Sequence, residues 1–372
     1  MKITKLETIF VEPRWLFLKM HTDEEIVGYG EPIVEGRART VAMAIKEMES
    51  YLLGQDPRRI EHHWQVLYRG TFYRGGPILT SALSGVEQAM WDITGKWLGV
   101  PVYQLLGGAV RDKARVYAHT GGDSIEAFVD AGRKNVARGF TALKTAFEGP
   151  VRFIDTQAYL EDCVNRIAAL RAAIPKTVDI AIDCHGRFSP AMAIRLAKAL
   201  EPYGILFLEE PCLPENVDTM VTVARSTSIP IATGERVFTR WGFREILEKQ
   251  AAVVLQPDIC HCGGIMEARK IAAMAEVYYA AVAPHNPLGP ISLAAGLQVD
   301  ACTPNFLCQE QVHLGEGYIK EPFEIKDGYI EIPQKPGLGI ELDDEAISGK
   351  IYDGCWDTPR WFHKDDGSFA EW

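Results

Sequence analysis

Residues 178–188 read VDIAIDCHGRF, and this stretch decides the fold that the rest of the chain is expected to adopt. It opens as a short run rich in Val and Ile, which predicts a buried strand. Asp183 and His185 follow two positions apart, and side chains at that spacing on a strand point to the same face. A carboxylate and an imidazole are therefore predicted to project together from one strand end.

The same strand–helix unit recurs on both sides of this stretch. After about residue 112, short apolar runs alternate with helical stretches through eight predicted strands. Such repetition predicts a parallel α/β barrel, with an open doubly wound sheet as the alternative. No glycine-rich phosphate loop follows the first of these strands, which disfavours a dinucleotide-binding open sheet.

The chain divides into three predicted parts. Residues 1–112 are expected to form an α+β capping domain of three strands and several helices. Its helices are predicted at about 37–53, 57–69 and 80–98. Residues 113–315 carry the barrel pattern, and residues 316–372 lose it. Since little chain follows the eighth strand, this last segment is expected to replace a final barrel helix and pack back on the capping domain. The predicted fold class is α/β, a modified TIM barrel of the (β/α)7β kind.

Composition narrows the class of protein. The chain has 372 residues, of which 47% are hydrophobic and 24% charged, a balance typical of globular proteins. Its net charge of −11 disfavours binding to nucleic acid or to anionic membranes. No apolar run reaches membrane-spanning length, and charges interrupt the apolar start MKITKLETIFVEP. We therefore expect a cytoplasmic protein with neither a nucleic-acid nor a membrane partner.

The cysteines are predicted to be reduced and mostly buried. There are eight in a long chain without an export signal, which favours free thiols over disulfides. The CHC at 260–262 raises the alternative of a zinc site, but its spacing differs from that of structural zinc motifs and no second half follows.

Three carboxylates recur at the predicted strand ends. Asp183 and Glu209 are 26 positions apart, and Glu209 and Glu235 are again 26 apart, one strand–helix unit each. In a barrel, these side chains reach equal height at the carboxyl ends of neighbouring strands, where barrel enzymes place their active sites. Three convergent carboxylates repel one another unless a cation lies between them, and oxygen-only ligands favour a hard ion such as Mg2+. The alternative is three separate salt-bridged strand ends.

The remaining ionisable strand ends are candidates for proton transfer. His285 follows the seventh strand, and a carboxylate from Asp258 on the sixth would raise its basicity and make it a general base. His185 would approach from the other side as an acid, and Glu310 could donate to an oxyanion. Lys144, in the apolar run LKTAF, could bind a substrate carboxylate or lower a neighbouring pKa. The alternatives are a core histidine tied to a structural aspartate and a surface lysine.

Motifs along essentially the whole chain resemble the enolase superfamily, in its mandelate-racemase-like group. The N-terminal stretch SALSGVEQAMWDITGKWLGVPVYQLLGG is similar to the capping-domain motif of that group. IDCHGR, FLEEP, GER, QPD and APHNPLGPI resemble its successive barrel motifs. PRW, EGRARTV, FYRGGPI, KPGLG and the terminal AEW are similar to its acid-sugar dehydratases.

The resemblance implies a Mg2+-dependent hydro-lyase acting on an aldonate. It implies Mg2+ ligands at Asp183, Glu209 and Glu235. His285 with Asp258 would abstract the proton next to the substrate carboxylate, and His185 would protonate the departing 3-hydroxyl. Glu310 would hydrogen-bond the enolate, and the product would be a 2-keto-3-deoxy sugar acid. It further implies a homo-oligomer, as large as an octamer.

Ala146 departs from the family pattern. Racemases of the group carry Lys-x-Lys at the end of strand two, and the second Lys, a base, is here Ala146. The dehydratases have a polar Asn at that position, so the sugar loses a possible hydrogen bond here. Galactonate is the implied substrate, with gluconate or a pentonate as alternatives. A racemase or epimerase of the group is a further alternative, and a non-catalytic sugar-acid binder is disfavoured by the intact acid and base.

Two loops of the capping domain are predicted to help choose the sugar. They carry Arg14 and Trp15 in PRW, and Tyr73 and Arg74 in FYRGG. Because loops often carry specificity, these four residues are candidates for substrate binding. The alternative is ordinary contacts at a hairpin tip and between lobes.

Overall fold

The N-terminal lobe is a three-stranded antiparallel sheet covered by helices. The computed structural model describes residues 1–147 and 149–371; Glu148 and Trp372 lie outside the described residues. The lobe contains β1 (Ile3–Val11), β2 (Trp15–Thr22), β3 (Val27–Gly30), α1 (Ala38–Leu52), α2 (Ile60–Arg69), α3 (Gly76–Leu98) and the short α4 (Val102–Leu105). The sheet order is β1-β2-β3, and Val11 pairs with Trp15 at the hairpin end. The lobe's predicted strands and first three helices are thus present.

The long helix α3 packs directly on β3 because that strand carries two glycines. A Cβ on Gly28 would lie 2.2 Å from the carbonyl oxygen of Ala89, and one on Gly30 would lie 2.0 Å from that of Gly85. Only glycine permits this approach. The predicted start of α3 at residue 80 is wrong by four residues. The helix begins at Gly76, with a proline in its first turn, and ends at the left-handed Gly99.

The central region is a parallel barrel. Its elements are β4 (Lys113–Arg115), β5 (Ala118–His119), α5 (Ile125–Ala137), β6 (Ala142–Ala146), α6 (Gln157–Ala173), β7 (Asp179–Asp183), α7 (Pro190–Leu200), a 3-10 turn (Glu201–Tyr203), β8 (Ile205–Glu209), α8 (Val217–Ala224), β9 (Ile231–Thr233), α9 (Thr239–Glu248), β10 (Val254–Leu255), α10 (Ile265–Val277), β11 (Ala281–Val282) and α11 (Pro290–Cys302). Strands β5 to β11 form one sheet in sequential order, all parallel. Parallel bridges from Phe306 to Val282 and from Gln309 to Val116 supply the eighth strand position and close the ring. The prediction of a modified TIM barrel with a cap is confirmed, and the open doubly wound sheet is excluded.

The barrel interior is filled by one buried side chain from each of the eight strand positions. These are Tyr117, Ala142, Ala181, Phe207, Ala232, Val254, Ala283 and Cys308. Large and small residues share this layer, as the taper of an eight-stranded barrel requires. The helices outside begin at side-chain caps where the sequence offers them: Ser124, Thr156, Ser189 and Asn216 each accept a hydrogen bond from the backbone N–H three residues on. The barrel is therefore a packed core whose open end carries the polar residues.

The C-terminal segment packs on the N-terminal lobe and then reaches the barrel. It contains β12 (Ile325–Lys326), β13 (Tyr329–Glu331), α12 (Asp344–Ser348), β14 (Trp361–Phe362) and β15 (Phe369–Ala370). β13 pairs with β4, and the Leu338 N–H donates to Asp92 of α3 at 2.8 Å. The β14–β15 hairpin lies against the barrel, where the ring of Trp361 stacks under the Arg187 guanidinium at 4.2 Å. The segment thus links both lobes.

All eight cysteines are free thiols; seven are buried and Cys355 is exposed. None of the helices in residues 1–147 and 149–371 combines the length and apolar character that a bilayer crossing requires.

Candidate active site

A cavity of about 570 Å³ opens at the carboxyl ends of the barrel strands. The N-terminal lobe contributes Arg14, Val34, Glu35 and Pro77 to its lining, and the C-terminal segment contributes Trp356 and Thr358. The barrel contributes most of the rest, including Lys144, Ala146, Asp183, His185, Glu235, His285 and Glu310. All three parts of the chain therefore meet at one enclosed space.

The three carboxylates converge at this cavity, where Asp183 and Glu235 are part of the lining and Glu209 is fully buried next to them. The parallel ladder pairs Asp183 of β7 directly with Glu209 of β8, and Glu235 follows β9 by two residues. One oxygen from each of the three lies within 4.8 Å of the others. In the described part of the chain, no other group of three acidic, histidine or cysteine side chains meets this criterion. The arrangement is that expected of ligands to a single ion.

The electrostatics of the trio show strong mutual repulsion that one lysine relieves in part. Burial and the charge of Asp183 hold the pKa of Glu209 well above its usual range. Burial and the charge of Glu210 raise the pKa of Glu235 to about 7. Burial also opposes ionisation of Asp183, but the ammonium of Lys144, 2.9 Å away, lowers its pKa below the usual value. A further positive charge is needed for all three to ionise together at neutral pH.

The residues present fit a divalent metal ion. Glu235 Oε2 is buried without a hydrogen bond from any described residue, as an oxygen reserved for a ligand would be. The adjacent Glu210 does not compete, because its backbone, at φ 35°, turns the side chain to Arg236, whose Nε donates to it at 2.8 Å. Glu209 is thus the one of the two neighbouring acids that joins the trio. Hard carboxylate oxygens of this kind suit Mg2+.

His285 is held with one ring nitrogen on a carboxylate and the other facing the acids. Its Nδ1 lies 2.8 Å from Asp258 Oδ2, and its Nε2 lies 3.4 Å from Glu235 Oε2. An ionised carboxylate only accepts, so Nδ1 carries a proton in both charge states of the ring, and Nε2 presents a lone pair in the neutral state. Burial opposes protonation, but the charge of Glu235 and the bond to Asp258 raise the pKa of His285 well above its usual value. Both features are those of a general base.

His185 has the opposite arrangement. It sits in the left-handed region at φ 48°, a strained conformation of the kind that clusters at functional sites. Its Nδ1 lies 3.2 Å from the Arg187 guanidinium, which can only donate, so the proton resides on Nε2. That nitrogen lies 3.3 Å from Asp183 Oδ2, and burial lowers the pKa of the ring. A lowered pKa makes the imidazolium form of this ring a stronger acid, and its Nε2–H faces the cavity, so the protonated ring is suited to give up a proton.

Lys144 contacts both the carboxylate trio and Glu310. Lys144 is 3% exposed, and its Nζ lies 2.8 Å from Glu209 Oε1 and 3.1 Å from Glu310 Oε1. The Asn286 N–H donates to Glu310 Oε2 at 2.9 Å. Although burial opposes ionisation, Lys144 and His119 hold the pKa of Glu310 well below its usual range. Glu310 is therefore a fixed negative charge in this structure, and any donor role would require its protonation.

Of the four candidate substrate-binding residues in the capping domain, only one lines the cavity in the described part of the chain. Arg14 lines the cavity, stacks over Trp356 at 4.8 Å and forms an ion pair with Glu35 at 3.5 Å. Trp15 is 2% exposed and packs against Tyr318 instead. Tyr73 is 83% exposed and Arg74 lines a shallow groove beside Trp241, so neither reaches the cavity. The roles of all four in substrate binding stay predictions.

Several cavity residues were not identified from the sequence. His119 and His261 line the same space, so four of the chain's nine histidines meet there. His261 lies in the CHC stretch; its Nδ1 is 2.9 Å from Ser81 Oγ of α3, while the thiols beside it are buried. Trp356 and Thr358 have no local sequence signal, whereas His119 follows a predicted strand end, a position that could have marked it.

Fold and site together define a barrel enzyme of the enolase type, and the comparisons agree. The chain belongs to this superfamily: residues 7–107 match the mandelate racemase / muconate lactonizing enzyme N-terminal domain, and residues 127–346 match the enolase C-terminal domain-like family. It is 49% identical to D-galactonate dehydratase of Ralstonia nicotianae and 48% identical to that of Cronobacter sakazakii, over 100% of each chain in both cases.

Solved structures give the same result. A member of the enolase superfamily from Salmonella Typhimurium has a TM-score of 0.87 and 35% identity, covering 93% of this chain and 97% of that one. A mandelate racemase/muconate lactonizing enzyme from a Sulfitobacter species has a TM-score of 0.91 and 35% identity, covering 96% and 99%.

Proposed function

We propose that the protein is a Mg2+-dependent aldonate dehydratase, a hydro-lyase that converts D-galactonate to the 2-keto-3-deoxy acid. The names of the full-length relatives support this activity. The observation that carries it is the pair of imidazoles with opposite proton placement, His285 and His185, facing the same carboxylate trio. One ring can take a proton and the other can give one, which is what loss of water requires.

The difficult step is removal of the proton at C2, since the carboxylate already carries negative charge. Asp183, Glu209 and Glu235 would hold a divalent cation, which would supply positive charge to offset this build-up. His285 Nε2 takes the C2 proton, and Asp258 stabilises the imidazolium that results. Lys144 lies within reach to counter the charge that develops on the substrate oxygens.

Elimination completes the reaction. The imidazolium form of His185 delivers its Nε2 proton to the 3-hydroxyl and becomes neutral, the C3–O bond breaks and water departs while the C2–C3 double bond forms. The enol then converts to the ketone by losing its hydroxyl proton and gaining one at C3. Overall, the substrate loses one water and nothing is oxidised or reduced.

Racemisation is disfavoured because the part of the cavity lining that contains Ala146 has no second base at that position. A two-base mechanism needs a second base there, and Ala146, which lines the cavity at the family's lysine position, has no basic group. Exchange of the C2 proton without loss of the hydroxyl is the measurement that would restore this alternative.

The direct test is a panel of aldonates incubated with the purified protein and Mg2+, with 2-keto acid measured as product. We expect galactonate to give the highest kcat/KM, with gluconate and pentonates lower. If no aldonate gives product while Mg2+ is bound, the proposed activity is wrong.

We further propose that Mg2+ is the physiological ion and that the enzyme acts in the cytoplasm as a homo-oligomer, without nucleic-acid or membrane partners. The oxygen-only ligand set supports Mg2+, and the net charge of −11 supports the proposal that nucleic acids and anionic membranes are not partners. Light scattering after gel filtration would give the subunit number, and a monomer would contradict the oligomer.

A further inference from the structure

Two imidazoles in the cavity, those of His119 and His261, have no part in the proton transfers described above. His119 ends β5, the first strand of the barrel, and 44% of its side chain is exposed to the cavity and solvent. His261, the other unassigned ring, is 7% exposed and is tied to Ser81. Of these two rings, His119 is therefore the more accessible to a bound substrate.

The His119 ring is held in place at one nitrogen only. Its Nε2 lies 3.1 Å from Glu310 Oε1, and its edge packs on Tyr117 with the ring centroids 5.7 Å apart. The backbone is fixed as well, since its carbonyl accepts from Asn135 Nδ2 at 3.2 Å. No described residue forms a hydrogen bond with Nδ1. A positioned ring with one unused polar atom is pre-organised to bind a ligand group.

The neighbouring wall offers little else to a sugar. The ladder pairs His119 with Lys144, so Ala146 lies one strand over and two residues further toward the mouth. Gly121 and Ala146 line the cavity on this side and have no polar side-chain atom, while the hydroxyl-bearing Thr120 and Thr145 of the same lining are buried. A hydroxyl taken from water to such a wall must find a hydrogen-bond partner or lose binding free energy.

We propose that His119 contacts the substrate and determines which aldonate the site accepts, by hydrogen-bonding one hydroxyl of the sugar chain. This inference rests on the proposed aldonate dehydratase activity. In this proposal, His119 neither holds the metal nor moves the C2 proton. The space that Ala146 leaves open gives the sugar chain access to the ring.

The test combines a side-chain change with substrates that lack single hydroxyls. Wild type and His119→Phe, which keeps a ring but removes its nitrogens, are assayed with the best aldonate and with its 4-, 5- and 6-deoxy analogues. In the wild type, we expect loss of one particular hydroxyl to lower kcat/KM by roughly 10- to 100-fold. In His119→Phe, loss of that same hydroxyl should change kcat/KM less than about twofold, because its partner is already gone.

The control is His62→Phe, the same change on an exposed histidine of α2, which should leave every ratio as in the wild type. If His119→Phe lowers kcat/KM equally for all substrates, the residue acts only through Glu310 and the inference is overturned. The inference also fails if His119→Phe keeps the wild-type preferences. If the wild type turns over no aldonate at all, it is instead the proposed function that has failed.

Discussion

Two sets of buried carboxylates in this molecule are stabilised in different ways. Glu31 and Glu87 of the N-terminal lobe are fully buried, but their oxygens accept backbone N–H groups at the starts of two barrel helices. Gly289 N and Ser292 N donate to Glu31 at 2.7 and 2.9 Å. At the barrel mouth, Lys144 contacts both Asp183 and Glu209, and His185 N donates to Asp183 at 2.9 Å, but Glu235 Oε2 has no hydrogen-bond partner among the described residues.

Glu87 shows the first arrangement most fully. Ile265 N, Met266 N and Trp91 Nε1 all donate to it, at 2.7, 2.9 and 2.7 Å. The fit requires glycine beside it, since a Cβ on Gly264 would lie 2.2 Å from Glu87 Oε2. Glu31 and Glu87 accept backbone hydrogen bonds that join the N-terminal lobe to the barrel. Glu235, with an oxygen that no described residue contacts by a hydrogen bond, is available to bind a metal ion.

The largest expected effect concerns the base beside the trio. His285→Asn should lower kcat by roughly 10³- to 10⁴-fold, because it removes the ring that Asp258 holds at hydrogen-bonding distance. Mg2+ binding should persist, since all three carboxylates remain. Product formation and C2 deuterium exchange measure the loss. Wild-type activity in this variant would remove His285 from the mechanism.

A smaller effect is expected on the free energy of unfolding, which should differ between variants of the two carboxylate sets. Glu87→Gln should lower the free energy of unfolding by about 2 kcal/mol, because an amide cannot accept from all three donors. Glu209→Gln should lower it far less in EDTA, because it removes one of three repelling charges. Urea unfolding of both variants measures the difference. Equal destabilisation would mean that the two sets serve the same structural purpose.

The last prediction concerns the dependence of the free energy of unfolding on pH. Burial raises the pKa of Glu31 and of Glu87 from 4.5 to about 8, although backbone N–H groups oppose the shift. The folded state therefore binds protons more tightly, and this contribution to stability is complete below pH 4.5 and is lost as the pH rises toward 8. Glu87→Gln should show a shallower fall in unfolding free energy over that interval. An unchanged slope would show that Glu87 does not titrate there.

How much of the site the sequence predicts depends on whether its residues lie on regular elements. Asp183, Glu209 and Glu235 were predictable because parallel strands of one repeating unit end at one level. Trp356 and Thr358 were not, because nothing local in a Gly- and Pro-rich segment indicates where it returns to the barrel.

The capping loops show the same limit. Trp15 begins β2, whose first four residues are all buried, and it packs against Tyr318, over 300 positions away. The predicted start of α3 coincided with the serine that opens SALSGVEQAM, but Ser81 lies inside the helix, where its Oγ contacts His261 Nδ1 instead of capping a helix end. In both cases tertiary contacts override the local pattern.

The most direct test of the central claim is a calorimetric titration of Mg2+ into the metal-free protein. The wild type and the exposed-site control Glu245→Gln should each bind one ion per chain, and Glu235→Gln should bind far more weakly. Undiminished binding by Glu235→Gln would contradict the account, because the carboxylate trio would then not be what holds the ion.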